Sequence, residues 1–203
     1  DPLYGGEGTR FGKVVAPLLH GQMLHAKELK LIHVGRFNEQ KNHKGLLDAF
    51  ALVKQQLPDC RLDLLGDGEL REETENYAKQ LGLRDSVSFL GNRGNVYPFL
   101  QAADIFLLPS KYEGMPMTII EAMGMGLPIV ATAVGGVPDM LKQEESGLLT
   151  ACDPDAVAEA VIRLARDPQL REHLGRNAKQ ESRRFSAEHM AACYCAVYQG
   201  GKI

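Results

Sequence analysis

The chain has 203 residues, a formal net charge of −3, 44% hydrophobic and 24% charged residues, enough to bury one substantial core, so one main domain is expected. No run of Lys and Arg is interleaved with aromatics, which argues against nucleic acid as a partner. No stretch approaches the roughly 20 consecutive apolar residues of a membrane-spanning helix, and the opening DPLYGGEGTR lacks the apolar core of a secretory signal, which predicts a cytoplasmic location.

In chain order, the first 28 residues are the least patterned: Gly5, Gly6, Gly8 and Gly12 suggest a loop, and Val14–Leu19 could form a strand. From Leu29 onward short apolar runs alternate with helical-period segments. That alternation predicts an α/β fold, a Rossmann-like doubly wound parallel sheet of about six strands with helices on both faces. The expected strands are 29–34, 61–65, 87–90, 105–108, 128–131 and a short one near 147–150. The first expected helix, 45–56, carries Leu46, Leu47, Phe50 and Val53 on one face and stops before Pro58. A second, 69–81, ends at Gly82, which suits a left-handed cap. Further helices are expected at 153–165, at 168–185 and from Ser186 onward, with Glu188 in the first turn. The four cysteines, Cys60, Cys152, Cys193 and Cys195, form no C-x-x-C pair. Reduced, mostly buried thiols are expected rather than a zinc site or a local disulfide.

Ligands of a doubly wound sheet sit beyond the carboxyl ends of its strands, so the loops after the strands carry the chemistry. After the first strand, Gly35-Arg36-Phe37-Asn38-Glu39-Gln40-Lys41 has no G-x-G-x-x-G, which removes the usual pyrophosphate turn of NAD and FAD enzymes. A guanidinium at Arg36 and an ammonium at Lys41 could instead lie beside a diphosphate, although exposed cations in a solvated loop are the commoner case. The segment Ser110–Ala122 is the most informative. Glu113 stands in a Gly/Pro loop and Glu121 about one turn into a helix, with free N–H groups expected at Met117 and Thr118. Helix N–H groups suit phosphate, and carboxylates accept hydrogen bonds from ribose and sugar hydroxyls. Compensation of the helix dipole would explain such glutamates equally well. Asp153-Pro154-Asp155 reads literally as D-x-D, but a capping Asp with Pro at the first helical position explains it, and no other acidic cluster has Mg²⁺ or Mn²⁺ spacing. No metal or cofactor is therefore expected.

The stretches VGRFNEQKNHKGLLDAF, LLGDGELRE, VSFLGNRGNVYPFLQAADIFLLPSKYEGMPMTIIEAMGMGLPIVATAVGGVPDML and ESGLLT resemble the donor domain of retaining glycosyltransferases with the two-lobed GT-B architecture. The family is the group 1, or family 4, type, whose marker is Glu, seven residues, then Glu, matched by Glu113 and Glu121. The resemblance covers about Lys30 to Tyr198. It implies a nucleoside diphosphate sugar as substrate, with Gly35, Arg36 and Lys41 at the diphosphate and Glu121 on the ribose. Glu113 would lie beside the donor sugar, and Gly114, Met115, Pro116, Met117 and Thr118 would form the turn whose backbone meets sugar and phosphate. The loop from Gly91 and Asn92 to Val96 would pack near the base. Gly66-Asp67-Gly68 would line the same cleft, although a purely conformational role explains these glycines as well. Carried over to catalysis, Glu113, Arg36 and Lys41 are the candidates, and Arg36, Lys41 and the helix N-terminus would stabilise the departing diphosphate without a metal.

Complete enzymes of this type have a preceding lobe that binds the acceptor, and residues 1–28 cannot form one. The expected organisation is thus a leading segment, 1–28, of open structure and a nucleotide-sugar-binding domain, 29–203, as in an excised donor domain or a truncated gene product. The six histidines, His20, His25, His33, His43, His173 and His189, are scattered without a nucleophile partner. The function implied is transfer of a sugar, such as a hexose from a UDP-sugar, to an acceptor in bacterial glycan or polysaccharide synthesis, with peripheral membrane association of the full enzyme compatible with it. The alternative is a stand-alone nucleotide-sugar binding or interaction module without turnover. A Rossmann epimerase is disfavoured by the missing glycine fingerprint.

Overall fold

A computed structural model of the chain describes residues 28–198; the glycine-rich leader, the strand expected at 14–19, His20 and His25 lie outside the described residues. Within them the order is β1 (Lys30–Val34), α1 (His43–Gln56), β2 (Arg61–Leu65), α2 (Arg71–Gln80), β3 (Val87–Gly91), α3 (Tyr97–Ala102), β4 (Ile105–Leu108) and α4 (Met117–Met125). There follow β5 (Ile129–Thr132), α5 (Val137–Met140), β6 (Leu148–Thr150), α6 (Pro154–Arg166), α7 (Pro168–Glu181) and α8 (Ala187–Tyr198). The strands form one parallel sheet in the order β3-β2-β1-β4-β5-β6.

All four residues of β4 and of β5 are buried. Covered on both faces, such strands read as unbroken apolar runs rather than as alternating ones. Successive side chains still part to opposite faces. Leu31, Leu62, Leu64, Ile105 and Leu107 pack with α1 and α6 in one core, while Ile32, Phe106, Leu108, Ile129 and Ala131 pack with α3, α4 and α5 in the other. Each large side chain buried in this way contributes about 1.5–3 kcal/mol relative to exposure.

The helix boundaries have local causes. Asn42 accepts from the Gly45 amide with its side chain, so α1 begins at His43 instead of Gly45. It ends at Leu57, whose backbone has left the helical region, as a residue before proline is disposed to do. Gly82 takes a φ of 71° beyond α2, the left-handed position expected of it. Asp153 accepts from the Ala156 amide at 3.0 Å with Pro154 at the helix start, so the D-x-D match is a helix cap. The helix expected over 168–185 stops at Glu181, and a short 3-10 turn completes it. The cysteine expectation needs correction: of the four, only Cys60 is buried, because Cys152 follows β6 in a surface loop and Cys193 and Cys195 lie on α8, which buries no residue.

Candidate functional site

The order of strands reverses between β1 and β4, which are neighbours in the sheet although α1, β2, α2, β3 and α3 separate them in the chain. Loops leaving two such strands turn to opposite faces and open a crevice at their carboxyl ends. The segment after β1 is braced against β2. The Gly35 amide donates to Leu65 O at 2.9 Å, and the Phe37 amide to Asp67 O at 3.0 Å. At Gly66, φ is 134° and a Cβ would stand 2.0 Å from Gly35 O; at Gly68 it would stand 2.5 Å from Phe37 O. Backbone crowding therefore accounts for glycine at both positions. A 3-10 turn at Glu39–Lys41, opened by Asn38 accepting from the Lys41 amide, then swings Lys41 towards β4.

There Lys41 Nζ lies 2.6 Å from Glu113 Oε1, and the two side chains are only 14% and 4% exposed. Ser110 Oγ donates to the same oxygen at 2.6 Å, and Gln40 Nε2 donates to Glu113 Oε2 at 3.2 Å. A carboxylate this buried requires such donors, because an unpaired charge out of water costs several kcal/mol. The turn carrying Glu113 is seated on the loop after β5. A Cβ on Gly135 would stand 1.7 Å from Glu113 O, and one on Gly136 2.3 Å from Gly114 O. Thr132 Oγ1 donates to Ser110 O at 2.6 Å from below.

Gly114 differs from these glycines. A Cβ there would meet nothing within 4 Å, and no left-handed φ calls for glycine. Met115 and Met117 are exposed and Pro116 is buried at the cap position of α4, where no side chain caps the helix. The first N–H groups of α4, at Met117 and Thr118, therefore have no side-chain capping partner, and Thr118 Oγ1 is buried without a hydrogen bond. Glu121 lies on the fifth position of α4, partly buried, and desolvation pushes its carboxyl above the usual range.

Gly35, Arg36, Asn92 and Val96 line a single cleft of about 530 Å³ together with Gly66 and Asp67. Gly91 turns the chain out of β3 at a φ of 68°. Arg36 does not join Lys41: its guanidinium, 70% exposed, pairs with Glu69 at 3.1 Å. The two cations of the first loop thus have separate partners, one at the rim and one in the floor.

Two groups that sequence reading left aside underlie this floor. His33, fully buried, is hydrogen-bonded through Nδ1 to Leu107 O at 2.8 Å. A carbonyl only accepts, so Nδ1 carries the proton and Nε2 is left as an acceptor without a partner. His43 stacks on Phe37 at 3.9 Å and meets His33 edge-on at 4.9 Å, both of its nitrogens buried and without partners. Burial first, then neighbouring positive charge from Lys41, lowers the pKa of His33 to about 4 despite the Leu107 bond. Burial, His33 and Lys41 lower that of His43 to about 2. Both rings are neutral at pH 7. Gln40 and Ser110 were also missed, although both stand inside the two loops the sequence singled out. Two consecutive glycines after a strand, Gly135 and Gly136, were a visible signal for the seat of the Glu113 turn.

A sequence profile of the family described as glycosyl transferases group 1 matches residues 20–181. The N-acetyl-alpha-D-glucosaminyl L-malate synthase of Bacillus anthracis is 32% identical over 170 residues, 83% of this chain and 44% of that protein. The lipopolysaccharide core biosynthesis glycosyltransferase LpsD of Rhizobium meliloti is 34% identical over 173 residues, 84% of this chain and 49% of that one. The chain thus spans about half the length of these curated relatives. Among solved structures, HepE of Anabaena in complex with UDP superposes with a TM-score of 0.80 at 26% identity, covering 86% of this chain and 50% of HepE. The sucrose-phosphate synthase of Thermosynechococcus elongatus gives 0.77 at 32% identity, covering 87% and 46%.

Proposed function

Since the chain belongs to the group 1 glycosyltransferases and has the Rossmann-like fold of their GT-B structures, we propose that it is the donor-binding domain of a retaining enzyme that takes a sugar from a UDP-sugar. The observation that carries this reading is the convergence, at the crevice between β1 and β4, of Lys41, the uncapped start of α4 and the unobstructed backbone at Gly114. Together they offer an anion a fixed ammonium, free N–H groups and a close backbone approach. HepE structures hold UDP, UDP-glucose, or UDP with glucose, and UDP is the nucleotide proposed here.

In this reading the diphosphate lies between Lys41, Arg36 and the start of α4. Glu121 accepts from the ribose hydroxyls, and the base enters the cleft at Asn92 and Val96. Transfer breaks the bond from the anomeric carbon to the diphosphate and forms one to an acceptor hydroxyl oxygen on the same face, whose proton leaves with the departing diphosphate. The negative charge that develops on the departing diphosphate meets preorganised positive groups, each such donor being worth about 3 kcal/mol, so no metal is required. Glu113 has Oε1 occupied by Lys41 and Ser110, which suits it to orienting Lys41. The proposed setting is bacterial glycan synthesis in the cytoplasm, with peripheral membrane contact of the whole enzyme. Among the described residues no helix is long and apolar enough to cross a membrane.

A thermal-shift screen against UDP, GDP and ADP sugars tests the donor. Selective binding raises apparent stability by about 2.7 kcal/mol at a hundredfold excess over Kd, and the expectation is a shift with UDP-sugars alone. Equal shifts with all three, or none, would remove the assignment.

A further inference from the structure

The Lys41–Glu113 contact joins two loops that are 72 residues apart in sequence, and one residue makes three bonds across that gap. The Gln40 carbonyl accepts from the Lys111 amide at 2.8 Å. Its side-chain amide donates to Tyr112 O at 3.1 Å and to Glu113 Oε2 at 3.2 Å. On the opposite oxygen of the same carboxylate, Ser110 Oγ, in a residue with no exposure at all, donates at 2.6 Å. The carboxylate is thereby gripped from both sides. With one oxygen held by Gln40 and the other by Ser110, rotation of the Glu113 carboxyl would break one bond or the other. The oxygen turned towards Lys41 stays turned towards it.

From this geometry we infer that Gln40 and Ser110 are positioning residues for the phosphate-facing cation: they fix the Glu113 carboxylate, which fixes the Lys41 ammonium where the leaving diphosphate needs it. The inference rests on the donor reading above for its consequence, but the placement of Lys41 is testable without any nucleotide. Lys41 has a long, rotamer-rich stem, and an untethered ammonium would lose entropy on meeting a phosphate. Held in advance, it loses little. Gln40 contacts this centre only through Glu113 and the 111–112 backbone, so no direct bond from Gln40 to the nucleotide is invoked.

Two measurements on Gln40→Ala and Ser110→Ala in the 203-residue chain decide the matter. The first is calorimetric affinity for UDP and for uridine. A charged hydrogen bond lost from the chain should weaken UDP about tenfold while leaving uridine within about twofold. A general loosening of the fold would weaken both alike. The second is the rate of Lys41 acetylation by an N-hydroxysuccinimide ester, read by mass spectrometry against Lys79 as internal reference. Lys41 should react several-fold faster in each variant than in the wild type. Parallel losses for UDP and uridine, or an unchanged Lys41 rate, would overturn the inference. If the wild-type chain binds neither UDP nor uridine, the donor reading fails by itself, and the acetylation rates still decide whether Gln40 and Ser110 hold Lys41.

Discussion

Mild acid should weaken this fold well before its carboxylates protonate, and His43 should be half the cause. Both buried imidazoles are neutral in the folded chain, with pKa values of about 4 for His33 and about 2 for His43, against about 6.5 when unfolded. Folded-state values below the unfolded one mean that the unfolded chain binds more protons, so stability falls as pH drops below about 6.5. At about pH 5 the unfolded imidazole is almost fully charged and the folded one almost neutral, which costs about 2 kcal/mol for each ring, or about 4 for the pair. Against a typical total of 5–15 kcal/mol, that is a large fraction. The window also isolates the histidines. Carboxylates with lowered values, Glu69, Glu144 and Glu181, begin to lose their contribution only as pH falls through the ordinary carboxylate range, below this window. Glu121, raised by burial, acts in the opposite sense. Urea unfolding followed by circular dichroism at about pH 7.5 and about pH 5 measures the loss. In His43→Phe the ring can still stack on Phe37 but cannot titrate, so the loss between the two pH values should shrink by about 2 kcal/mol, whatever the variant does to absolute stability. A wild type equally stable at both pH values, or a variant that loses as much as the wild type, would refute the assignment of neutral buried imidazoles.

Glu121→Ala should weaken UDP by about 1–3 kcal/mol in calorimetry with thermal unfolding unchanged, as expected for lost charged hydrogen bonds from a partly buried carboxylate; unchanged affinity takes Glu121 out of the site. Arg36→Ala should lower affinity for UDP but not for uridine, because its proposed contact is to phosphate oxygens; equal losses for both would place the guanidinium at the nucleoside instead. Chelation by EDTA should leave UDP affinity unchanged in the same titration if, as proposed, Lys41 and the start of α4 supply the positive charge. A large loss restored by Mn²⁺ would show that a metal carries it.

How far all this was legible depended on whether the determining contact was local. The strands of the sheet could be read because β4 is buried and apolar throughout and β1 and β5 are short, largely apolar runs, interrupted only by Lys30, His33 and Thr132. α3 and α5 were not expected, because six and four residues with Pro98 and Pro138 at their starts are too short to show a period. The Ser110–Ala122 loop stood out because two glutamates, a Gly/Pro turn and a helix start coincide within one stretch. What that loop does with its first glutamate was invisible, since the partners of the Glu113 carboxylate other than Ser110 come from the loop after β1, more than 70 residues away. Neither the order that sets β1 beside β4 nor the turn that swings Lys41 inward has a signature in spacing alone. Sequence reading treated Arg36 and Lys41 as one diphosphate-binding pair because both follow the glycine that ends the first strand and because the family resemblance implies it. The fold gives them different surroundings, an exposed rim with Glu69 and a buried floor with Glu113. The same distinction predicts different behaviour: the rim cation is screened by water and salt, whereas the floor cation acts at low dielectric and depends on its donors.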